Sequence, residues 1–465
     1  MREVLINTVP FDSLKITALE AVQQVNEHGT LVFTGLMNGE KENEYISWAL
    51  KENPLVSINV CNDSYEEKIF FQGVLVDFEI KTQNDVRYMT GTLKTNTYLM
   101  DLLPHKRSFQ KPSLQYQNLL TTINSTYAKA MFIMEKGQGV NIPGIIMQYN
   151  ETDWVFIKRM ASRFHSVVVA DSQQNCIAYT FGLPESGAHY EIQTNMFSIA
   201  KNVGCIIKGM DQSTPKVDTF FYILQSREIY RLGDCVKLNG IPLRVYSIKT
   251  KMEGGELYHT YYLTGADGFR REEIFNENLI GLSLDAQVTA IERDTVQVAI
   301  KCDENRAGAG FRPFLYATVY STPDGTGWYC MPEVGDAVRL YFPCEKDSDA
   351  YVASSVHLRS AAGDERVNPN FKSIMNKQKK EVLFTPGSLM LTNNAGMSIE
   401  LSDAEGIKII SDKAIVIRSQ EAVDISSVTS TLSINAPQRI IFQQGDTQIS
   451  LEEKLHFGGA QVRID

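Results

Sequence analysis

The end of the chain repeats one pattern, apolar pairs separated by a single and mostly polar residue. They fall at Val382/Phe384, Leu389/Leu391, Ile399/Leu401, Ile407/Ile409, Ile415/Ile417 and Val423/Ile425, and continue at Leu432/Ile434, Ile440/Phe442, Ile449/Leu451, Leu455/Phe457 and Val462/Ile464. The interval is mostly about eight residues. Alternation of period two describes a strand with one buried face, and a turn at fixed interval stacks such strands into a solenoid. A helix is excluded, because its apolar residues would fall three and four apart. Two inward side chains per coil do not offset the conformational entropy of ordering the coil when one chain stands alone. Three chains wound about one axis would pair each other's strand edges and fill a common interior. The pattern therefore predicts a trimeric intertwined β-helix over residues 382–465, a stiff needle; a single-chain solenoid is the alternative.

The whole chain of 465 residues leaves room for several domains with real cores. The net charge of −10, from 45 Lys and Arg against 55 Asp and Glu, argues against a general nucleic-acid binder. No apolar run approaches the roughly 20 residues of a membrane-spanning helix. The opening MREVLINTVPFDSLKITALEAV has no basic region ahead of an apolar block, so the expectation is a chain made and folded in the cytosol without a secretory signal. Cys61, Cys176, Cys205, Cys235, Cys302, Cys330 and Cys344 are scattered and show neither CxxC pairing nor zinc spacing. They read as reduced thiols, and no metal or cofactor is expected.

The pattern predicts a mainly β chain. Residues 1–105 read as strands punctuated by NG, ND and QND turns, a first β-barrel. Residues 106–215 read as α/β elements. Within them Leu119, Leu120, Ile123, Tyr127 and Met131 recur at helical spacing, predicting a helix within 114–136. A second helix begins near Asn150 or Thr152 as cap, with Glu151 and Asp153 suited to its positive end and Trp154, Ile157 and Ala161 on one face. VVVADSQQNCIAYTFGL reads as a hairpin. Residues 216–283 return to strands, with an NG hairpin in VKLNGIPLRVYSIKT, as a second barrel. Residues 284–357 suggest a small closed barrel, 358–381 a linker, and 382–465 the needle.

Two motifs carry a resemblance. QYNETDWVFIKRMASRFHSVVVAD, residues 148–171, is similar to the signature of spike proteins from contractile injection systems, the VgrG and phage tail hub and spike (late control D) family; Tyr149, Glu151, Asp153, Trp154, Phe156 and Phe164 carry the match. GWYCMPEVGDAVRLYFP, residues 327–343, resembles that family's OB-fold barrel through Trp328, Pro332, Gly335, Asp336, Val338 and Phe342. The resemblance covers essentially the whole chain. It implies an α+β hub of two β-barrels with an α/β insert, an OB-fold collar and a needle, assembled as a homotrimer. The implied hub ring has pseudo-sixfold symmetry matching a hexameric tail tube protein, beside baseplate proteins. It also implies a particle that is virion-like or injected on contraction, in transient contact with a target envelope. There are departures. The loop after Phe342 reads CEKDSDA rather than a Gly-Asp-Pro type, and 358–381 is too short to hold a folded hydrolase. No toxin domain is expected after Asp465. Val462 and Ile464 in the last strand are candidates for docking a PAAR-type tip protein.

Enzyme readings are weaker. Glu151 and Asp153 as an acid/base pair compete with their simpler role at a helix start. His165 and His189 have no nucleophile elbow beside them, and AGAGF around Gly308 and Gly310 lacks the GK[ST] of a phosphate loop, so it reads as a surface loop. Trp154 and Trp328 read as core or interface anchors. His105, Lys106 and Arg107 read as a solvated loop. The rival function is a trimeric β-helical tailspike that binds or hydrolyses surface glycan, but 382–465 contains no Trp or Tyr as a sugar platform. A soluble adhesin is a third reading.

Overall fold

The computed structural model describes residues 5–61, 67–185, 187–201, 220–356, 368–458 and 461. The chain divides into two compact units, 1–358 and 359–465, and is mainly β. Among the described residues no helix is long and apolar enough to cross a membrane.

The first unit opens with β1 (Ile6–Val9), β2 (Lys15–Gln24), β3 (Thr30–Met37), a short α1 (Glu42–Ala49), β4 (Leu55–Cys61), β5 (Glu67–Gln83) and β6 (Val86–Lys94). It continues with β7 (Pro104–Phe109), α2 (Tyr116–Asn124), β8 (Met131–Met134), β9 (Ile146–Thr152), α3 (Asp153–Ser162), β10 (Val168–Ala170) and β11 (Ala178–Phe181). Then come β12 (His189–Ile192), β13 (Phe197–Lys201), β14 (Phe220–Ser226), β15 (Cys235–Leu238), β16 (Ile241–Glu253) and β17 (Glu256–Thr264).

These strands contain the same six-stranded unit twice. The first runs β1-β4-β5-β6-β3-β2 and the second β12-β15-β16-β17-β14-β13, each strand holding the corresponding neighbours. β5 and β6 meet in a two-residue turn at Asn84 and Asp85, β16 and β17 in one at Gly254 and Gly255, all four at positive φ. That backbone matches the right-handed twist of the strands it joins. A bulge follows Leu75 in β5 and Val245 in β16, each eight positions before the strand end at Gln83 and Glu253. The pairing Phe33 opposite Gly91 has its counterpart in Leu224 opposite Tyr261, so each unit fills the same spot with one ring from opposite strands. A Cβ on Gly91 would lie 2.6 Å from the Phe33 ring, which is why the small residue must face it. One pairing differs: β1 meets β4 antiparallel, whereas β12 meets β15 parallel. The two units are welded by antiparallel pairing of β2 with β16, from Ser247 opposite Gln24 to Lys251 opposite Glu20.

The NG hairpin lies where the sequence indicates, with Asn239 and Gly240 at φ 47 and 84 between β15 and β16. β10 and β11 form the expected antiparallel hairpin, and β8 adds to it in parallel. The helix expected within 114–136 ends at Asn124; Met131 belongs to β8, because pairing with β11 there outweighs the helical spacing. His105, Lys106 and Arg107 form part of β7, and Arg107 is buried, so the solvated-loop reading is corrected.

Five further strands follow: β18 (Ser283–Glu292), β19 (Thr295–Ile300), β20 (Phe314–Leu315), β21 (Ala337–Tyr341) and β22 (Tyr351–Ser355), in the order β20-β19-β18-β21-β22. A parallel bridge between Tyr316 and Val352 brings the two edges together around a core of Leu284, Val288, Val298, Leu340, Phe342 and Val352.

In the second unit β23 (Lys372–Met375), β24 (Glu381–Thr385), β25 (Ser388–Thr392), β26 (Ser398–Ser402) and β27 (Gly406–Ile410) form an antiparallel meander. β28 (Ile440–Gln444), β29 (Thr447–Leu451) and β30 (Leu455–Gly458) form a second. β23 lies inside the stretch read as linker. Residues 411–439 carry the same alternation but join no strand in one chain. Ser450 is the one buried residue among the tail residues whose burial is described, and Ile407 is 73% exposed.

Candidate functional site

The first signature lies where three parts of the first unit meet. Its strand β9 is covered on both faces. Ile146 enters the core built on α2 and α3, while Met147 and the preceding Ile145 enter the core of β18–β22, with Tyr149 packed against it. Thr152 then caps α3, its hydroxyl accepting from Val155 N at 3.3 Å. The helix is buried nearly all round, and Trp154 is fully enclosed, its Nε1 donating to Asn26 O at 3.2 Å in the turn between β2 and β3.

Glu151 and Asp153 do more than suit a helix start. Asp153 is fully buried and accepts from Arg107 Nη1 at 2.6 Å, Tyr127 Oη at 2.7 Å and Gln148 Nε2 at 2.8 Å. Glu151 accepts two bonds from Arg159, from Nε at 2.9 Å and Nη2 at 2.8 Å. The remaining arm of Arg159 donates to Asp347 at 3.1 Å, and its Nη2 also reaches Met147 O at 2.8 Å. Asp347 accepts in addition from Arg163 and from Met147 N. Burial opposes the charge on Arg159, yet the carboxylates of Asp347 and Glu151 raise its pKa above the ordinary value. Burial raises Glu151 above the usual carboxylate range, with Arg159 acting against it.

A second clasp lies beside it. Glu304 accepts from Lys106 N at 2.8 Å and sits 2.7 Å from His105 Nδ1; burial works against its charge, but these contacts hold its pKa below the ordinary value. Asp303 binds the backbone and hydroxyl of Ser108, and Ala309 O accepts from Gln110 N at 2.7 Å. Ala309 is buried, so the AGAGF stretch is partly a docking segment rather than a free surface loop. Asp303, Glu304 and Asp347 all come from the β18–β22 unit, so these pairs form a buried ionic joint between it and β7, β9 and α3.

The second signature is spread over the β18–β22 unit. Pro332 is buried, Gly335 has φ 97 and donates to Val288 O at 2.9 Å, and Trp328 is 56% exposed on a loop with Tyr320 and Tyr329. That loop roofs a cleft of about 1130 Å³ whose walls include Arg312, Tyr351 and Asp349. Tyr149, Asp153 and Trp154 are thus neighbours, and Trp328, Pro332 and Gly335 form a separate group. Val462 and Ile464 lie outside the described residues, as does Cys205; the other six cysteines are free. Among the described residues no group of three or more His, Cys, Asp or Glu is placed to hold a metal. Arg159 and Asp347 were not singled out from the sequence, and Arg107 was read there only as part of a solvated loop. Their partners lie up to 200 positions away along the chain, so no local spacing connects them.

No family model and no curated protein matches this sequence. Solved structures match it in fold. The E. coli c3393 protein, a component of the type VI secretion system described as structurally similar to the T4 bacteriophage tail proteins gp27 and gp5, is 12% identical; the match covers 76% of this chain and 100% of that one, with a TM-score of 0.54. A chain of the half-lidded Francisella PdpA–VgrG complex is 10% identical over 88% of this chain and 87% of its own, with a TM-score of 0.52. The lidless form of that complex covers 98% of its own chain with a TM-score of 0.53. The chain has the fold of the VgrG-related hub and spike proteins.

Proposed function

We propose that three copies of this chain form the central spike of a contractile injection machine: a phage tail, a tailocin or a type VI-like system. Residues 5–283 are the hub, 284–356 an OB-type collar and the tail a needle, as the shared fold supports. The order β20-β19-β18-β21-β22, with its edges bridged in parallel, supports the OB reading of the collar. Two similar six-stranded units per copy give six in three copies, suited to a hexameric tail tube. The observation that carries the proposal is the tail: alternation persists through 411–439 and beyond, yet Ser450 alone is buried among the described residues there. A strand pattern with no core in one chain calls for other chains to supply it. In this reading Tyr320, Trp328 and Tyr329 pack against neighbouring copies around the axis. Sheath contraction supplies force, the ionic joint holds collar to hub under load, and no chemical step is involved.

Light scattering after size exclusion tests this directly. The full chain is expected at three times the chain mass, and a monomer would overturn the spike. Release of reducing ends from cell-wall or capsular polysaccharide would restore the glycan-cleaving tailspike instead. A PAAR-type partner is proposed to cap the tail end. Deleting residues 455–465 is expected to abolish its capture in a pull-down, and undiminished capture would rule the cap out.

A further inference from the structure

We infer that neighbouring copies join edge to edge, β13 of one copy pairing antiparallel with β5 of the next, in the register that β2 and β16 use within one chain. This rests on the three-copy reading above, and the internal duplication carries it. β16 divides one of its sides between two partners: residues 241–244 pair with β15 and residues 247–251 with β2. Its counterpart β5 uses residues 67–74 for β4, and beyond the bulge that same side, residues 77–81, has no partner among the described residues. The counterpart of β2 is β13, and its outer side is likewise without a strand among the described residues. Within the chain, a β2-type edge thus fills the gap beyond the bulge of a β16-type strand. Between copies the same two half-joints are left over, one at each end of the duplicated sheet.

An exposed edge is a row of unmet backbone donors and acceptors, and a second copy offers the complementary row. Transferring the register through the aligned bulges and hairpin ends gives definite pairs. Lys249 opposite Val22 and Thr250 opposite Ala21 become Glu79 opposite Ala200 and Ile80 opposite Ile199. Ile248 opposite Gln23 becomes Phe78 opposite Lys201, whose methylene stem takes the place of the glutamine. The faces agree with this register. Thr250 and Ala21 are buried where their strands meet, whereas Ile199 is 55% exposed and Ile80 half-buried in a single chain. Pairing would cover both.

The test is a disulfide in the full chain carrying Ile80→Cys and Ile199→Cys, oxidised mildly and run without reductant. Directly opposed positions on one face lie within reach of a disulfide. The expected result is reductant-sensitive species at two and three times the chain mass, absent from either single variant and from the chain with only its own cysteines. Ile80→Cys with Ala200→Cys, whose side chains point to opposite faces, should cross-link about tenfold less. If light scattering gives a trimer but the first pair stays at single-chain mass, or both pairs cross-link equally, this edge pairing is wrong while the trimer stands. A monomer in scattering would remove the three-copy reading itself.

Discussion

Arg159→Met is expected to destabilise the first unit by about 3–5 kcal/mol, the cost typical of removing one partner from a buried ion pair. Arg159 is 1% exposed and spans two carboxylates, Glu151 at 6% and Asp347 at 2%. Without it Glu151 remains in the interior with its charge uncompensated, Asp347 keeps only Arg163 as a cationic partner, and Met147 O loses a donor. The triple variant Arg159→Met, Glu151→Gln, Asp347→Asn should recover much of the loss, because no bare charge is left and the side-chain amide introduced at position 347 could still accept from Met147 N. Arg159→Lys should recover little, since an ammonium cannot make the two-pronged contact with Glu151 while reaching Asp347. The urea midpoint of the full chain and the protease sensitivity of the 303–309 segment are the readouts. A single variant that melts like the parent would mean that the joint carries no load.

The second large effect is a loss of stability in mild acid. His259 is 2% exposed, beside the rings of Phe70 and Tyr261, and its one hydrogen bond among the described residues is Nδ1 with Thr250 Oγ1 at 2.8 Å. Burial lowers its pKa from 6.5 to about 4. The unfolded chain takes up this proton as pH falls below the ordinary value, while the folded chain refuses it until about pH 4. Stability is therefore intact above about pH 6.5 and falls as pH drops toward 4, by up to about 3 kcal/mol. His259→Gln keeps a polar group for Thr250 and should flatten this slope. Glu304, with its lowered pKa, acts in the same direction at lower pH: its contribution is present above the ordinary carboxylate value and is lost as pH falls through the folded one. Urea midpoints between pH 7 and 4 separate the two, and a variant with the parent's slope would remove His259 as the cause.

Much of the fold was legible. The Thr152 cap, the Trp154 helix, the hairpin after it and the NG turn at Asn239 all lie where local pattern puts them. The reading failed where tertiary contact outweighed local preference. Met131 sits at helical spacing from Tyr127, yet its backbone completes a sheet with β11. Glu151 and Asp153 look like acids placed for a helix dipole. Their partners Arg159, Arg107 and, through Arg159, Asp347 make them the centre of a buried network, which no spacing rule connects.

Local sequence carried the alternation of the tail, the turns at Asn84 and Asn239 and the incomplete core of the tail. These depend on φ/ψ preferences and on side chains within a few residues of one another. The repetition of one six-stranded unit within residues 5–264 became visible only in the folded chain. The equivalent positions hold different residues, Gly91 against Tyr261 and Met89 against His259, so the likeness lies in pairing and bulge rather than in composition. The folded chain also brings Arg159 and Arg107, which hold the acids at 151 and 153, against Asp347 and Glu304 nearly 200 positions on, because desolvated charges select partners by proximity in the folded interior and not along the chain.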